Sequence, residues 1–347
     1  MATLTPGLMT YSEWGLRHDT TGKISTMVDL LSQKNGIVED MMTVECQSGN
    51  AFEYTQVVKL PTPTRRSYNQ GIPATQGGVV KQVSTCIEYA DWSKIDASLA
   101  ELGGDVSGLR MQEDMLHMEG LSQLVANDLF YGNKATDPTQ FTGLANIYYT
   151  VNPATSLIAG NVIDCGGTGS TNTSMWLVTW GPRHIHALFP KGTQAGMKHI
   201  DMGINFAVDT AGNEYRVYRS YIEWKLGLAI HDWRFAVRAA NIDVTLLNGG
   251  SAANLINTLV RMTQRVPIQP VGVGPVQNAT DESTKLVMGR SAIYVNRTIA
   301  TYLDLQAMNK TNVLLKMEEW DGEAVTTFRG IPIRIVDALV NTESRVV

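Results

Sequence analysis

Two stretches early in the chain alternate between apolar and polar residues. Phe52 to Leu60 suits a strand. From Val79 to Tyr89, residues Val79, Lys81, Val83, Thr85, Ile87 and Tyr89 face one way and their neighbours the other, which predicts a second strand and hence a hairpin. The connection, Pro61 to Gly78, is too long for a tight turn and too poor in apolar residues to pack on itself. A loop of this kind usually carries a function.

The pattern then changes to a helical period over 105–131. Asp105 can cap, Met111, Met115, Met118, Val125 and Leu129 keep one stripe, and Gly132-Asn133 ends it. Such a helix spans about 40 Å at its rise per residue. Met175 to Trp180 reads as a buried strand, Ile204 to Val208 begins another, and residues 210 to 213 turn it. Ile222, Trp224, Leu226, Leu228 and Ile230 alternate with polar neighbours until the phase changes, which predicts a bulge or bend near His231-Asp232. In the last third, Ser251 is placed to cap Ala252 to Val266, Leu286 to Val295 is extended, Asn296 caps Arg297 to Met308, and Thr326 to Ile335 is extended. Helices alternating with strands indicate a layered α/β region. No segment repeats at a fixed period, which removes solenoids and propellers.

Charge sharpens this picture. Residues 1 to 45 hold short amphipathic pieces such as Ile24 to Leu31; there Arg17, Lys23 and Lys34 stand against Glu13, Asp19, Asp29, Glu39, Asp40 and Glu45, a net charge of −3. Over 51 to 90, Lys59, Arg65, Arg66 and Lys81 stand against Glu53 and Glu88, a net charge of +2. An acidic arm and a basic loop can therefore attract each other between subunits. Charged residues make up only 18% of the 347-residue chain, below the roughly 25% of an average soluble domain, which points to surface covered by other protein. The net charge of −5 argues against a basic, sequence-reading nucleic-acid face.

Cys46, Cys86 and Cys165 are odd in number and widely separated, so neither a disulfide framework nor a zinc ribbon is expected. The start of the chain lacks a basic, then apolar, leader, and no run reaches the ~18 apolar residues of a membrane span. The expectation is a protein neither exported nor embedded.

Candidate chemistry is sparse. His184 and His186 share a strand face, and His199 and Asp201 follow, so a metal site using His184, His186 and Asp201 is conceivable. Gly166 to Ser170 lacks the Gly-Lys-Ser/Thr of a phosphate loop, and Gly272 to Pro275 lacks dinucleotide spacing, so both read as loops. Trp176, Trp180, Trp224 and Trp233 suit core packing better than base stacking. No nucleophile elbow, zincin helix or paired-carboxylate segment stands in a catalytic context.

With that order in place, the chain resembles phage major capsid proteins of the HK97-like fold. Ser291 to Leu303 looks like their strand, Asn cap and helix, and Phe328-Arg-Gly330-Ile-Pro332 to Asp337-Ala338 resembles their late strand. Trp180-Gly181 through Phe189-Pro190-Lys191-Gly192, and Trp224 through Asp232-Trp233-Arg234, are similar to a subfamily of short-tailed phages.

The resemblance implies an α+β, HK97-like capsid fold. Its parts would be an N-terminal arm over 1–45, an extended E-loop hairpin over 46–90, and a peripheral domain over 91–145 with its spine helix, rejoined by strands within 203–245. Residues 146–347 would be mainly an axial α/β domain. It implies a major capsid protein that is not an enzyme and needs no cofactor or metal, whose hexamers and pentamers form an icosahedral shell around double-stranded DNA. Expected partners are further copies of the chain, a separate scaffolding protein, a portal, a decoration protein and non-specifically contacted DNA, with no membrane. Assembly is expected in the host bacterial cytoplasm, and no covalent cross-linking is indicated. Arg65, Arg66, Tyr68, Lys59, Lys81, Asp29, Glu39 and Asp40 are the expected inter-subunit contacts. The alternatives are the metal-dependent enzyme and another phage part, a tail-tube or decoration protein.

Overall fold

The computed structural model describes residues 9, 17, 33–102, 104–209, 211–247, 254–267, 289–308, 315–320 and 323–347. In chain order its elements are α1 (Gly36–Asp40), β1 (Thr43–Glu45), β2 (Ala51–Lys59), β3 (Gly78–Thr85), β4 (Ile87–Asp96), α2 (Ala97–Leu102), α3 (Val106–Tyr131) and α4 (Leu144–Ile147). There follow β5 (Val162–Asp164), β6 (Asn172–Trp180), β7 (Ile185–Phe189), β8 (Met197–Val208), β9 (Glu214–Ile230) and β10 (Ala236–Asp243). The last are α5 (Leu255–Arg265), β11 (Arg290–Val295), α6 (Arg297–Met308), β12 (Leu315–Trp320), β13 (Glu323–Phe328) and β14 (Ile331–Ile335). The described residues fall into two compact units: one within 1–33, 88–126 and 195–225, the other within 34–87, 127–194 and 226–347.

The second unit holds the main core. β6 lies between β10 and β11, antiparallel to both, with Val237 opposite Leu177 on one side and Ile293 opposite the same residue on the other. β11 runs parallel to β14, and β13 and β12 extend the sheet as antiparallel neighbours. Every residue of β6 is buried, as a central strand covered on both faces must be. Met175 and Leu177 meet Leu255, Leu259 and Met262 of α5 and Ile299 and Leu303 of α6. Trp176, of opposite parity, meets Phe130 and Tyr148, at ring-centroid distances of 6.1 and 5.8 Å. Trp176, Trp180 and Trp224 are thus core residues, each at most 5% exposed.

Capping chemistry sets the helix ends. Asp105 Oδ1 accepts from the Gly108 N–H at 2.9 Å, starting α3 where expected. At its other end the Gly132 N–H donates to Asp128 O at 3.0 Å, and a Cβ on Gly132 would lie 2.6 Å from the carbonyl oxygens of Asp128 and Phe141. Only glycine fits there. Asn296 Oδ1 accepts from the Ile299 N–H at 2.8 Å and opens α6.

Several expectations need correction. α5 begins at Leu255 with Asn254 as its cap, accepting from the Asn257 N–H at 3.1 Å; Ser251 lies outside the described residues, as do Gly272 to Pro275, residues 286–288 and Ile24 to Leu31. The run Thr326 to Ile335 is not one strand but the end of β13, a two-residue turn and β14, with Arg329 and Gly330 at φ 53° and 76°, a turn type whose twist suits a hairpin. The expected strand Val79 to Tyr89 breaks at Cys86. The bend expected near His231-Asp232 is present, and a single 3-10 turn, Trp233–Phe235, follows it.

The first unit has a smaller core, in which Ile95, Ala100 and Leu109 are buried together. β8 and β9 form a long hairpin, with Met197 opposite Trp224 and Val208 opposite Glu214. Asp114 of α3 is buried and accepts from Ser220 Oγ at 2.9 Å, with His199 Nε2 also 2.9 Å away. Arg17 is paired with Glu113, and Arg110 with Asp201.

Candidate assembly surface

β2 and β3 form a two-stranded sheet of their own, in register from Ala51 opposite Thr85 to Val57 opposite Val79, with a shift before Lys59 pairs with Gly78. Its root is well packed within the second unit. Phe52 is buried with its ring edge-on to His186 at 5.0 Å, Tyr54 stacks on His231 at 5.5 Å, and Gln56 Nε2 donates to Ile230 O at 2.9 Å. Beyond Gln56 this cover ends, and every residue from Val57 to Gly77 is exposed.

The exposed part is chemically unusual for a free surface. Tyr68 is 100% exposed and Leu60 76%, and Val57, Ile72 and Val79 are each more than half exposed. Lys59, Arg65, Arg66 and Lys81 stand among these apolar groups with no acid between 59 and 81; Lys81 is paired with Glu53 at 2.5 Å across the strands. An isolated two-stranded hairpin is marginal in water, and arginine and tyrosine beside exposed aliphatic groups are what interface centres contain. Among the described residues nothing covers this part of the hairpin, and its composition is that of a contact surface.

The remaining expected contact residues are placed differently. Glu39 is exposed on α1, and Asp29 lies outside the described residues. Asp40, expected at an inter-subunit contact, is 3% exposed and engaged inside the second unit. Its carboxylate lies 2.8 Å from Arg290 and 3.5 Å from Arg334, and accepts from Tyr294 Oη at 3.1 Å. Burial raises its pKa while the two arginines oppose that shift. The signal missed in the sequence was that Arg290 and Arg334 sit on neighbouring parallel strands and converge there.

The first unit also shows apolar surface. Met111 and Met115, expected on the core stripe of α3, are 60% and 50% exposed, whereas Leu109, Leu121, Val125, Ala126, Leu129 and Phe130 are buried. On β8, Ile204, Phe206 and Val208 fall on one face of the strand and are 47%, 67% and 62% exposed.

The metal reading fails on geometry. His186 is fully buried against Phe52, and burial holds its pKa down at about 4. His184 lies edge-on to Phe235 at 3.8 Å, while Asp201 belongs to the first unit and takes Arg110. Among the described residues no group of three or more His, Cys, Asp or Glu is placed to hold a metal ion. Gly167 closes its loop by donating to Asn241 O at 2.8 Å, a backbone contact and not a phosphate cradle. No described helix is long and apolar enough to cross a membrane.

Comparison with known proteins identifies the family. Residues 19–347 match the family described as Major capsid protein GP7. A chain of bacteriophage Epsilon15, from a near-atomic cryo-EM structure, is similar over 100% of this chain and 99% of its own, at 30% identity and a TM-score of 0.77. The capsid of Myoviridae phage XM1 (12% identity, TM-score 0.41, 68% of this chain and 99% of that one) is more distant, and so is that of an empty GTA particle (9%, 0.40, 69% and 99%); neither bears on the argument. No curated protein matches the sequence. The mixed helix-and-sheet architecture and the whole-chain likeness bear out the expected HK97-like class, and the enzyme alternative has no support. The chain belongs to the major capsid protein GP7 family, and its copies build the shell of a bacteriophage virion.

Proposed function

We propose that copies of this chain close into hexamers and pentamers, and that these rings tile an icosahedral shell around packaged double-stranded DNA. The observation that carries this reading is the hairpin of residues 46–90: packed at its root, exposed along Val57 to Gly77, and rich in Arg65, Arg66, Tyr68, Lys59 and aliphatic side chains. A neighbouring copy would give such a hairpin its cover. Weak contacts repeated around a closed ring add up to a stable shell.

In this reading residues 1–45 are the arm and 46–90 the E-loop. The peripheral domain is 91–145 with the α3 spine, rejoined by strands within 203–245, of which β8 and the start of β9 fall in the first compact unit. Residues 146–347 are mainly the axial domain. Arg65, Arg66, Tyr68, Lys59, Lys81, Glu39 and Asp29 are the proposed contact set, and Asp40 is set aside because its ion pairs are internal. The subunit acts as a structural part and not as a catalyst. A separate scaffolding protein, a portal and a decoration protein are its proposed partners, with assembly in the host bacterial cytoplasm. Contact with the packaged DNA is loose and non-specific in this reading, since a net charge of −5 supplies no broad cationic face against the phosphates.

Negative-stain electron microscopy of the chain expressed with its phage's scaffolding protein tests this. Hollow shells or five- and six-fold rings are expected. A compact monomer under every condition, or open tubes alone, would overturn the ring geometry.

A further inference from the structure

The three cysteines are far apart in sequence, yet the hairpin brings two of them together. Cys46 lies just before the hairpin and Cys86 just after it, and their Sγ atoms are 3.3 Å apart. Both are buried in a small cluster with Phe52, Leu188 and Ala229, flanked by Val44 and Tyr54. The backbone is pinned on both sides: the Cys46 N–H donates to Phe189 O at 2.9 Å, the Cys86 N–H to Asn50 O at 3.1 Å, and Asn50 Nδ2 to Cys86 O at 2.8 Å. Cys86 also has little room to move away, because a Cβ built on Gly227 would lie only 3.1 Å from the Cys86 Cα.

We propose that Cys46 and Cys86 form a latent disulfide site, whose oxidation closes the 46–86 excursion into a covalent ring at its root. A disulfide needs its sulfurs at about 2.05 Å, so the two Sγ atoms must approach by roughly 1 Å from their present contact. The oxidant is a small-molecule disulfide. One cysteine thiolate attacks it, forming a mixed disulfide and expelling one small thiolate; the second cysteine thiolate then attacks the protein sulfur and expels the other. The two protein thiols are oxidised by two electrons, the small disulfide is reduced to two thiols, and the protons leaving Cys46 and Cys86 end on those thiols.

The same burial that holds the sulfurs together makes them slow to react. It raises both thiol pKa values, so little thiolate exists while the cluster is closed. The first attack needs a brief opening of the hairpin root, and reclosure delivers the second thiol to the mixed disulfide. Cys165 stands apart, its Sγ 3.9 Å from Thr258 Oγ1 in the α5 core. The timing of oxidation rests on the virion reading, since a shell outside the cell meets oxidants that a cytoplasm excludes; the proximity of the thiols does not rest on it.

The test is intact-mass analysis of the full chain. Reduced protein is incubated with oxidised glutathione under native conditions, then denatured, blocked with iodoacetamide and mapped by peptide mass. The expected product is two hydrogens lighter, carries one blocked cysteine at Cys165, and yields a peptide joined through Cys46 and Cys86. A Cys46→Ser chain should stop at a glutathione adduct or remain unmodified. Three blocked cysteines after prolonged incubation, a glutathione adduct that never resolves in the unsubstituted chain, or a bond that includes Cys165 would each overturn the proposal. Failure of the chain to form shells would leave this readout unaffected.

Discussion

Arg238 Nη2 donates to Glu343 Oε2 at 2.9 Å in the core of the second unit, with both side chains 5% exposed. Nε of the same guanidinium donates to Ser174 Oγ at 3.1 Å and Nη1 to Tyr148 O at 2.9 Å, while Tyr131 Oη donates to Glu343 Oε1 at 2.6 Å. Asn241 of β10 holds the following segment, donating to Val346 O and accepting from the Val346 N–H, each at 2.8 Å. The late segment of the chain is thereby fastened to the central sheet by a fully hydrogen-bonded ion pair.

Breaking that pair leaves a buried charge without its partner. Glu343→Ala is expected to cost about 3–5 kcal/mol in urea unfolding. Replacing both residues, as Arg238→Met with Glu343→Leu, should recover most of the loss, because the two desolvation costs vanish together. Equal losses in the single and double variants would show that packing, and not charge pairing, is at stake.

Asn296 caps α6 and also donates from Nδ2 to Thr173 Oγ1 at 3.1 Å. Asn296→Ala should destabilise the chain by about 1–2 kcal/mol. Asn296→Asp, which keeps the accepting oxygen and loses the donor, should fall between. Thermal unfolding of the three proteins side by side gives the order.

In the first unit, Glu113 and Asp91 lie on either side of His117, with Nδ1 2.5 Å from Asp91 and Nε2 3.6 Å from Glu113. The Glu113 carboxylate, at ion-pair distance, and the hydrogen-bonded Asp91 carboxylate together hold its pKa up at about 9 against an ordinary 6.5, outweighing the burial that lowers it. A histidine whose folded pKa is raised stabilises most below 6.5 and loses that contribution as pH climbs through 9. After allowance for the 25% of its side chain that meets solvent, the loss should be about 1–2 kcal/mol. Melting temperatures between pH 6 and 10 should show the decline, and His117→Gln should flatten it; a parallel decline in that variant would assign the titration elsewhere.

What the sequence made legible was local. Alternation placed β2 and β3, the Asp105 and Asn296 caps placed the starts of α3 and α6, and the long polar loop stood out because it could not pack on itself. What it hid were contacts made by topology. Asp40 looked like one acid of a charged arm until α1 brought it beside Arg290 and Arg334 of the parallel pair β11 and β14. Met111 and Met115 share a helical stripe with Val125 and Leu129, but Leu109, on another side of the helix, is buried, and periodicity alone does not say that the covered face changes along a helix. His184 and His186 looked like metal ligands because spacing alone does not reveal that both are core residues. Cys46 and Cys86 looked unrelated because their contact depends on where the hairpin closes.

The exposed loop tip offers a prediction about fold against assembly. Arg65, Arg66 and Tyr68 are exposed, so changing them should shift subunit stability by no more than about 0.5 kcal/mol. Circular dichroism and thermal melting of Arg65→Ala/Arg66→Ala/Tyr68→Ala should overlay those of the unsubstituted chain.

The most direct measurement of the central claim is the yield of closed shells from that same triple variant, counted by electron microscopy and sedimentation velocity after expression with the scaffolding protein. The account predicts folded subunits that remain unassembled or form only small rings. Shells equal in number and size to those of the unsubstituted chain would contradict it.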